Sequence, residues 1–278
     1  MTWAFDDETE VTSDGPGRWT ARLSDQWNIT DHPNGGYAAA VVLRAMARET
    51  SHEAPLSVTG HYLRPALGGA DAIVRTEVVR TGRRTSTVTG TLVQDGQERL
   101  RVIGAFGDLR DPGMAGTADG SVTTAAGGPP DHVSVTVPDL PPPEACTERS
   151  ALDQGVDIAI ASRVEVRLHP DMATGAEIGR AEVAGWIRFR DGRPTDARAL
   201  PLFADSFPPA LFGLLGRVGW VPTVELTVHV RARPRPGWLR GRFLTDDLQD
   251  GRLIEDGWLW DEDGTLVARS RQLGLLLT

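Results

Sequence analysis

Two stretches of this chain repeat one another, and the repeat restricts the fold to a pair of similar units. The first copy runs from Trp19-Thr-Ala-Arg-Leu through a helix expected from about Gly35 to Glu49. It continues with Leu56-Ser-Val-Thr-Gly-His-Tyr-Leu-Arg-Pro and closes on a long hairpin ending near Phe106-Gly107. The second runs from Val183-Ala-Gly-Trp-Ile-Arg-Phe, through a helix holding Asp205, to a matching hairpin ending at Gln272-Leu273-Gly274. Gly96 and Gly264 hold equivalent turn positions, and Gly107 and Gly274 equivalent strand ends, at nearly the same offset. The copies differ in one chemical respect. The first helix, Gly35-Gly36-Tyr37-Ala-Ala-Ala-Val-Val-Leu-Arg-Ala-Met, carries no carboxylate before Glu49, whereas the second carries Asp205.

The hairpins follow from local chemistry. Ile73-Val-Arg-Thr-Glu-Val-Val-Arg and Thr85-Ser-Thr-Val-Thr-Gly-Thr-Leu-Val alternate with the two-residue period of strands that bury one face. Thr81-Gly82-Arg83-Arg84 and Asp95-Gly96-Gln97 supply the turns. Between the copies, the chain from Asp111 to about Ser150 is rich in Gly, Pro, Ala and Thr, with Pro141-Pro-Pro its stiffest part. Such composition buries little apolar surface and reads as a connection between two subdomains. The expected organisation is therefore an N-terminal unit over 1–110, a Gly/Pro-rich linker over 111–150 and a C-terminal unit over 151–278. One helix against a curved antiparallel sheet, made twice, is α+β architecture.

In the first helix Ala38, Val41, Val42, Ala45 and Met46 share a face, and Asn34 is placed to act as N-cap. In the second, Leu200, Phe203, Ala204, Phe207, Leu211 and Leu214 form an apolar stripe with Asp205 on its flank. Pro208 and Pro209 remove N–H groups just after the acid, so the helix is expected to kink or restart there. Asp205 is readable equally as a solvated flank residue beside an ordinary kink or as a functional acid.

Composition narrows the function. The chain of 278 residues is 40% hydrophobic and 24% charged, with a formal charge of −9. That balance argues against a protein held to nucleic acid by phosphate contacts. No apolar run approaches the roughly 20 residues that span a bilayer. The acidic start, Met1-Thr-Trp-Ala-Phe-Asp-Asp-Glu, lacks the layout of a signal peptide. A single cysteine, Cys146, rules out an internal disulfide, so a cytoplasmic setting is the simplest expectation. One cysteine and six histidines argue against a structural metal site. Every cation is arginine, so arginine clusters carry less information than usual.

These motifs together resemble the acyl-CoA thioesterase II-like branch of the hotdog superfamily. The matching residues are His32-Pro-Asn-Gly-Gly-Tyr, His61-Tyr-Leu-Arg-Pro-Ala, Arg80-Thr-Gly-Arg-Arg, Phe203-Ala-Asp-Ser-Phe-Pro-Pro and Gly264-Thr-Leu-Val-Ala-Arg-Ser-Arg-Gln. The resemblance implies a double hotdog, two fused subdomains that each wrap a curved antiparallel sheet around a helix. It also implies hydrolysis of acyl-CoA to a free acid and coenzyme A. By position, the family's helix aspartate corresponds to Asp205, its strand threonine to Thr223 and its last-strand glutamine to Gln272, a trio that holds and activates a water. A carboxylate can serve as general base if burial keeps its pKa usable, and Thr223 and Gln272 can each donate and accept hydrogen bonds.

The amides around Asn34, Gly35 and Gly36 are candidate oxyanion donors, since helix N-termini favour anions; the alternative is that the glycines only permit close packing. Arg80, Arg83 and Arg84 sit where the family often meets coenzyme A phosphates. Trp220, Trp258 and Trp260 are expected to shape an acyl groove, and His61 to lie in the core or the groove. No cofactor is implied beyond the coenzyme A of the substrate. The expected partner is a small acyl-CoA thioester, without nucleic acid or membrane, and a homo-oligomer is left open. Two other readings stand beside hydrolysis: a non-catalytic acyl-thioester binder and, ranked below it, an enoyl-CoA hydratase. For the hydratase, Arg22-Leu-Ser-Asp-Gln-Trp-Asn and His32 carry a loose likeness.

Overall fold

The computed structural model describes residues 2–52, 54–109, 122–124, 130–152, 155–173, 178–216 and 221–277. The first half contributes β1 (Thr12–Ser13), β2 (Arg18–Leu23), a small ribbon of β3 (Asn28–Ile29) and β4 (His32–Pro33), and a long helix, Gly35–Ala47. It continues with β5 (Ala54–Tyr62), β6 (Ala70–Thr81), β7 (Thr85–Gln94) and β8 (Gln97–Gly107). A second ribbon, β9 (Val122–Thr124) with β10 (Pro130–His132), follows. The second half contributes β11 (Thr147–Glu148), β12 (Val164–Leu168), β13 (Glu182–Phe189) and a short helix, Leu200–Ala204. It ends with β14 (Thr223–Val230), β15 (Leu239–Gln249), β16 (Arg252–Trp260) and β17 (Leu266–Leu275).

Among the described residues, thirteen strands form one antiparallel sheet in the order β1-β2-β6-β7-β8-β5-β14-β17-β16-β15-β13-β12-β11. The order reads as a palindrome of the repeat. β6-β7-β8-β5 is answered by β14-β17-β16-β15, and the halves meet where β5 pairs with β14. At that seam Val58 lies opposite Val228, and the Thr59 and Thr227 hydroxyls are 2.9 Å apart. The expected turns are present. Asp95-Gly96 has φ of 50° and 72°, a two-residue hairpin loop with both residues left-handed, which is the conformation Asp-Gly favours. Gly264 likewise has φ of 82°.

Each half-sheet wraps its own helix, but the helices are unequal. The long helix caps on Asn34, whose Oδ1 accepts the Tyr37 N–H at 3.0 Å, as the sequence predicts. Its predicted apolar face is buried, and so are Ala39, Ala40 and Leu43 on the other side. The reason is that the short helix of the second half packs across it, so it is a central helix with apolar residues nearly all round. The expected second helix is cut to five residues. It ends at Ala204, the chain runs irregularly through Pro208-Pro209, and a separate turn follows at Phe212–Leu215. Leu214, placed on the apolar stripe by periodicity, is 40% exposed because helical spacing does not survive the break.

The halves are also tied by part-buried ion pairs. Arg163 donates to both carboxylate oxygens of Glu8 at 2.8 Å, and Arg193 to both of Asp6 at 2.9 Å. Within the stretch read as linker, residues 111–121 and 125–129 lie outside the described residues. Further along, Pro141 O accepts from Trp186 Nε1 at 2.8 Å, β11 pairs with β12, and Arg149 donates to Ser206 O at 2.6 Å. Among the described residues, no helix is long and apolar enough to cross a membrane.

The helix–helix contact depends on Gly36. A Cβ there would fall 2.6 Å from Pro201 O and 2.7 Å from Leu202 Cα, both backbone atoms that cannot swing aside. Gly36→Ala is therefore expected to destabilise the protein by about 1–3 kcal/mol. The check is a lowered urea midpoint at unchanged slope, and a wild-type midpoint would show that the two helices do not meet this closely.

Candidate active site

Asp205 follows the last residue of the short helix and points at the N-terminus of the long one. Its Oδ2 accepts from Gly36 N at 2.8 Å and from Asn34 Nδ2 at 2.9 Å, and Asn34 Nδ2 also reaches Asp205 O at 2.7 Å. Asn34 thus caps its own helix with Oδ1 and holds the acid of the other half with Nδ2. Gly35 and Gly36 make this approach sterically feasible. A Cβ on Gly35 would stand 2.8 Å from the Tyr62 ring and 3.1 Å from Asp205 Oδ2. Asp205 as a residue is half-buried, and burial of its carboxyl pushes it up to about 6 against the pull of the Gly36 amide and the Asn34 side chain.

This geometry corrects one expectation. The Gly36 N–H, one of the helix-terminal amides read as oxyanion donors, is engaged by Asp205, and the Asn34 N–H by Trp27 O at 2.9 Å. The glycines also allow close packing, of Gly36 against the short helix and of Gly35 against the Tyr62 ring of β5. The physical reason is that a helix N-terminus favours the nearest anion, and here that anion is a side chain of the protein itself.

Thr223 opens β14 and Gln272 lies on the neighbouring β17, where Gln272 Nε2 donates to Thr223 Oγ1 at 2.7 Å. The short helix packs against β14, β16 and β17, so the pair and the acid share one region. Among the described residues no hydrogen bond joins Asp205 to either of them.

Two groups were not singled out by sequence reasoning. Tyr62, at the end of β5, packs its ring against Gly35 beside Asp205, and burial together with the Asp205 charge holds its phenol well above the ordinary range. Its hydroxyl has no hydrogen-bond partner among the described residues. Glu255 lies in β16, directly opposite Gln272 on one side and Thr245 on the other. It is 9% exposed, and burial, with the Asp205 charge adding to it, pushes its carboxyl up to about 7. A signal existed for Glu255. It alternates with Leu253, Gly257 and Leu259 on the inward face of its strand, where an ionisable residue is out of place.

The arginine expectation is not met by position. Arg80, Arg83 and Arg84 lie exposed around the β6–β7 turn, with no ion pair among the described residues. In the sheet register Thr85 aligns with Gly107 and Ala54, whereas Tyr62 aligns with Leu100. The turn is thus at the opposite end of β5 from Tyr62 and Asp205, roughly 26 Å along the strand. Arg64, exposed and donating to Glu98 O at 3.1 Å, is a cation that flanks the Tyr62 end.

The tryptophans also fall elsewhere. Trp258 is held between Arg242 and Arg269 on the outer face, Trp260 is 1% exposed, and Trp220 lies outside the described residues. His61 is exposed, because the alternation of β5 turns it outward, and His32 Nδ1 sits 3.1 Å from Ala66 O in a loop.

Comparison with known proteins decides the family. A model described as the acyl-CoA thioesterase N-terminal domain matches residues 23–107, and one for the acyl-CoA thioesterase C-terminal domain matches residues 139–276. The chain belongs to the acyl-CoA thioesterase family. A Thermobifida fusca structure described as a thioesterase II is 32% identical, with 99% of this chain and 98% of that one covered and a TM-score of 0.84. A hot dog fold protein of unknown function from Alicyclobacillus acidocaldarius is 26% identical, with 100% and 99% covered and a TM-score of 0.84. The thioesterase-like protein TwmA of Talaromyces wortmannii is 25% identical, with 99% of this chain and 92% of that one covered.

As an acyl-CoA thioesterase family member, the chain is a thioester hydrolase with a double hotdog fold. Asn34, Gly35 and Gly36 lie in the N-terminal-domain match and Asp205, Thr223 and Gln272 in the C-terminal-domain match, so the carboxylate contact crosses between the two domains.

The raised Asp205 pKa has a consequence for stability. The folded protein favours the protonated form, so the group's contribution is fully present below the ordinary value of 3.8 and is lost as pH rises through about 6. Asp205→Asn is expected to stabilise the fold at about pH 8 by up to roughly 3 kcal/mol. The gain should vanish below about pH 4. Urea unfolding at the two pH values measures this, and an equal effect at both would contradict the burial argument.

Proposed function

We propose that this protein hydrolyses acyl-CoA thioesters to a carboxylic acid and coenzyme A, with Asp205 as general base for the attacking water. The observation that carries the reading is the state of Asp205. It is a desolvated carboxylate, fixed by Asn34 and Gly36, and close to half ionised near pH 6. A base of that strength is ionised at neutral pH and still accepts a proton readily.

In this reading the water oxygen attacks the thioester carbonyl carbon while its proton passes to Asp205. The tetrahedral oxyanion then expels the sulfur, the C–S bond breaks, and the departing thiolate takes the proton back from Asp205. Gln272 uses Nε2 on Thr223, which leaves its Oε1 to accept from the water. Because Gly36 N is engaged by Asp205, the developing oxyanion needs another donor. The Tyr62 hydroxyl, kept neutral beside Asp205, fits that role. The arginine turn at Arg80, Arg83 and Arg84 remains a site for coenzyme A phosphates only if the ligand extends along the sheet; Arg64 lies nearer the base.

Thiol release from a panel of acyl-CoAs tests the proposal. Asp205→Asn is expected to lower kcat by about 10²–10⁴-fold while acyl-CoA binding by calorimetry persists. The wild-type kcat/KM should fall about tenfold per pH unit below pH 6. Tyr62→Phe is expected to lower kcat by about 10²-fold with little change in KM. Full activity in Asp205→Asn would sink the assignment, and binding without turnover on any chain length would favour a non-catalytic binder.

A further inference from the structure

Glu255 is a buried carboxylate that the mechanism above does not use. One of its oxygens, Oε2, accepts the Ala210 N–H at 2.7 Å and lies 3.4 Å from the Thr245 hydroxyl. Ala210 is the first residue after Pro208-Pro209, a pair that offers the sheet no N–H. The loop that leaves Asp205 is therefore fastened at three points: Asp205 itself on the long helix, Ser206 O by Arg149, and Ala210 on Glu255. Across the sheet, Glu255 is the direct neighbour of Gln272. One side chain thus holds the loop that leaves the base and neighbours the glutamine that would hold the water.

The charges around Glu255 are few. Its strand neighbours Thr245 and Gln272 are uncharged, and the loop offers it a backbone amide. From the short helix it faces Asp205, the one charged group that acts on it, and Asp205 in turn adjoins Tyr62 of β5. Of the other charges on these strands, Arg271 pairs with Asp256, Arg242 with Glu182 and Arg252 with Asp250, while Arg240 and Arg269 lie over the Trp186 and Trp258 rings; on the loop, Arg149 donates to Ser206 O. No cation among the described residues compensates Glu255. Two uncompensated carboxylates in one low-dielectric region do not both ionise readily, and the proton stays with one of them.

We propose that Glu255 is a positioning residue for Asp205: it fixes the loop carrying the base through Ala210 and, while its carboxyl keeps a proton, leaves Asp205 as the single negative charge of the site. The proposal rests on the reading of Asp205 as the base. When Glu255 ionises, a second anion enters the region where the oxyanion must form, and turnover falls. Burial pushes both carboxyls up, Glu255 to about 7 and Asp205 to about 6; the pair is expected to titrate together, with turnover rising as the first proton leaves and falling as the second does.

The test compares wild type, Glu255→Gln, Glu255→Ala and Asp205→Asn in kcat and KM from about pH 5 to 9, on the acyl-CoA that wild type turns over fastest. Glutamine still accepts the Ala210 N–H but does not ionise. Wild type is expected to decline above about pH 7, and Glu255→Gln to keep the acid limb and lose that decline. Glu255→Ala is expected to lose about tenfold or more in kcat across the range with KM little changed, because the loop loses its fastening at Ala210. An alkaline limb unchanged in Glu255→Gln overturns the proposal, as does wild-type kcat in Glu255→Ala. Should the alanine variant fail to fold, the glutamine profile decides alone.

A second readout is independent of turnover. The Glu255 carboxyl, followed by carbon NMR, should titrate at lower pH in Asp205→Asn, and an unmoved titration also overturns the proposal. The two readings fail separately. An active Asp205→Asn removes the base assignment, whereas an inactive Asp205→Asn with unchanged Glu255 variants removes only the role of Glu255.

Discussion

A carboxylate of one half resting on the helix N-terminus of the other is the contact on which the rest of this structure depends. The contact satisfies several requirements at once. It supplies an acceptor to the orphan N–H of Gly36, fixes the Asn34 side chain that caps the same helix, and brings the short helix close enough for Gly36 to lie against Pro201 and Leu202. It is also in tension, since the desolvation that raises the Asp205 pKa outweighs the hydrogen bonds that lower it. A group whose burial opposes stability persists where the surrounding packing over-determines it. Here the β5–β14 seam, the Glu8–Arg163 and Asp6–Arg193 pairs and the interdigitated helices supply that packing.

The duplication explains why the arrangement is available. Two similar sheets joined edge to edge place their helices side by side, so a residue at the end of one helix meets the start of the other. The first half keeps a full helix with glycines at its start, and the second keeps a truncated helix with the acid at its end. Equivalent positions have become complementary partners.

Much of this was legible in the sequence because it is local. The turn glycines Gly96 and Gly264, the Asn34 cap and the break at Pro208-Pro209 each follow from the conformational demands of a few adjacent residues. The trio Asp205, Thr223 and Gln272 came from resemblance, and the structure brings Thr223 and Gln272 into contact while bonding Asp205 elsewhere. What local pattern did not give was distance across the sheet. Arg80, Arg83 and Arg84 are a turn cluster in sequence, and only the register of β5, β7 and β8 shows that the turn and Tyr62 lie at opposite ends. The full burial of the long helix was hidden for the same reason, since its second cover comes from a helix about 160 residues later. Glu255 stood on an inward strand position throughout, and its meaning needed its neighbours.

The inequality of the two helices bears on how the chain reaches its native state. Five residues, Leu200–Ala204, are too few to persist as an isolated helix in water, where stability comes from packing rather than propensity. Their docking surface is the long helix of the first half, which a ribosome delivers well before them. During synthesis the earlier half can therefore collapse around its own helix and wait as a template. The later half completes its core only on arrival, and the acid reaches its partners in the same step.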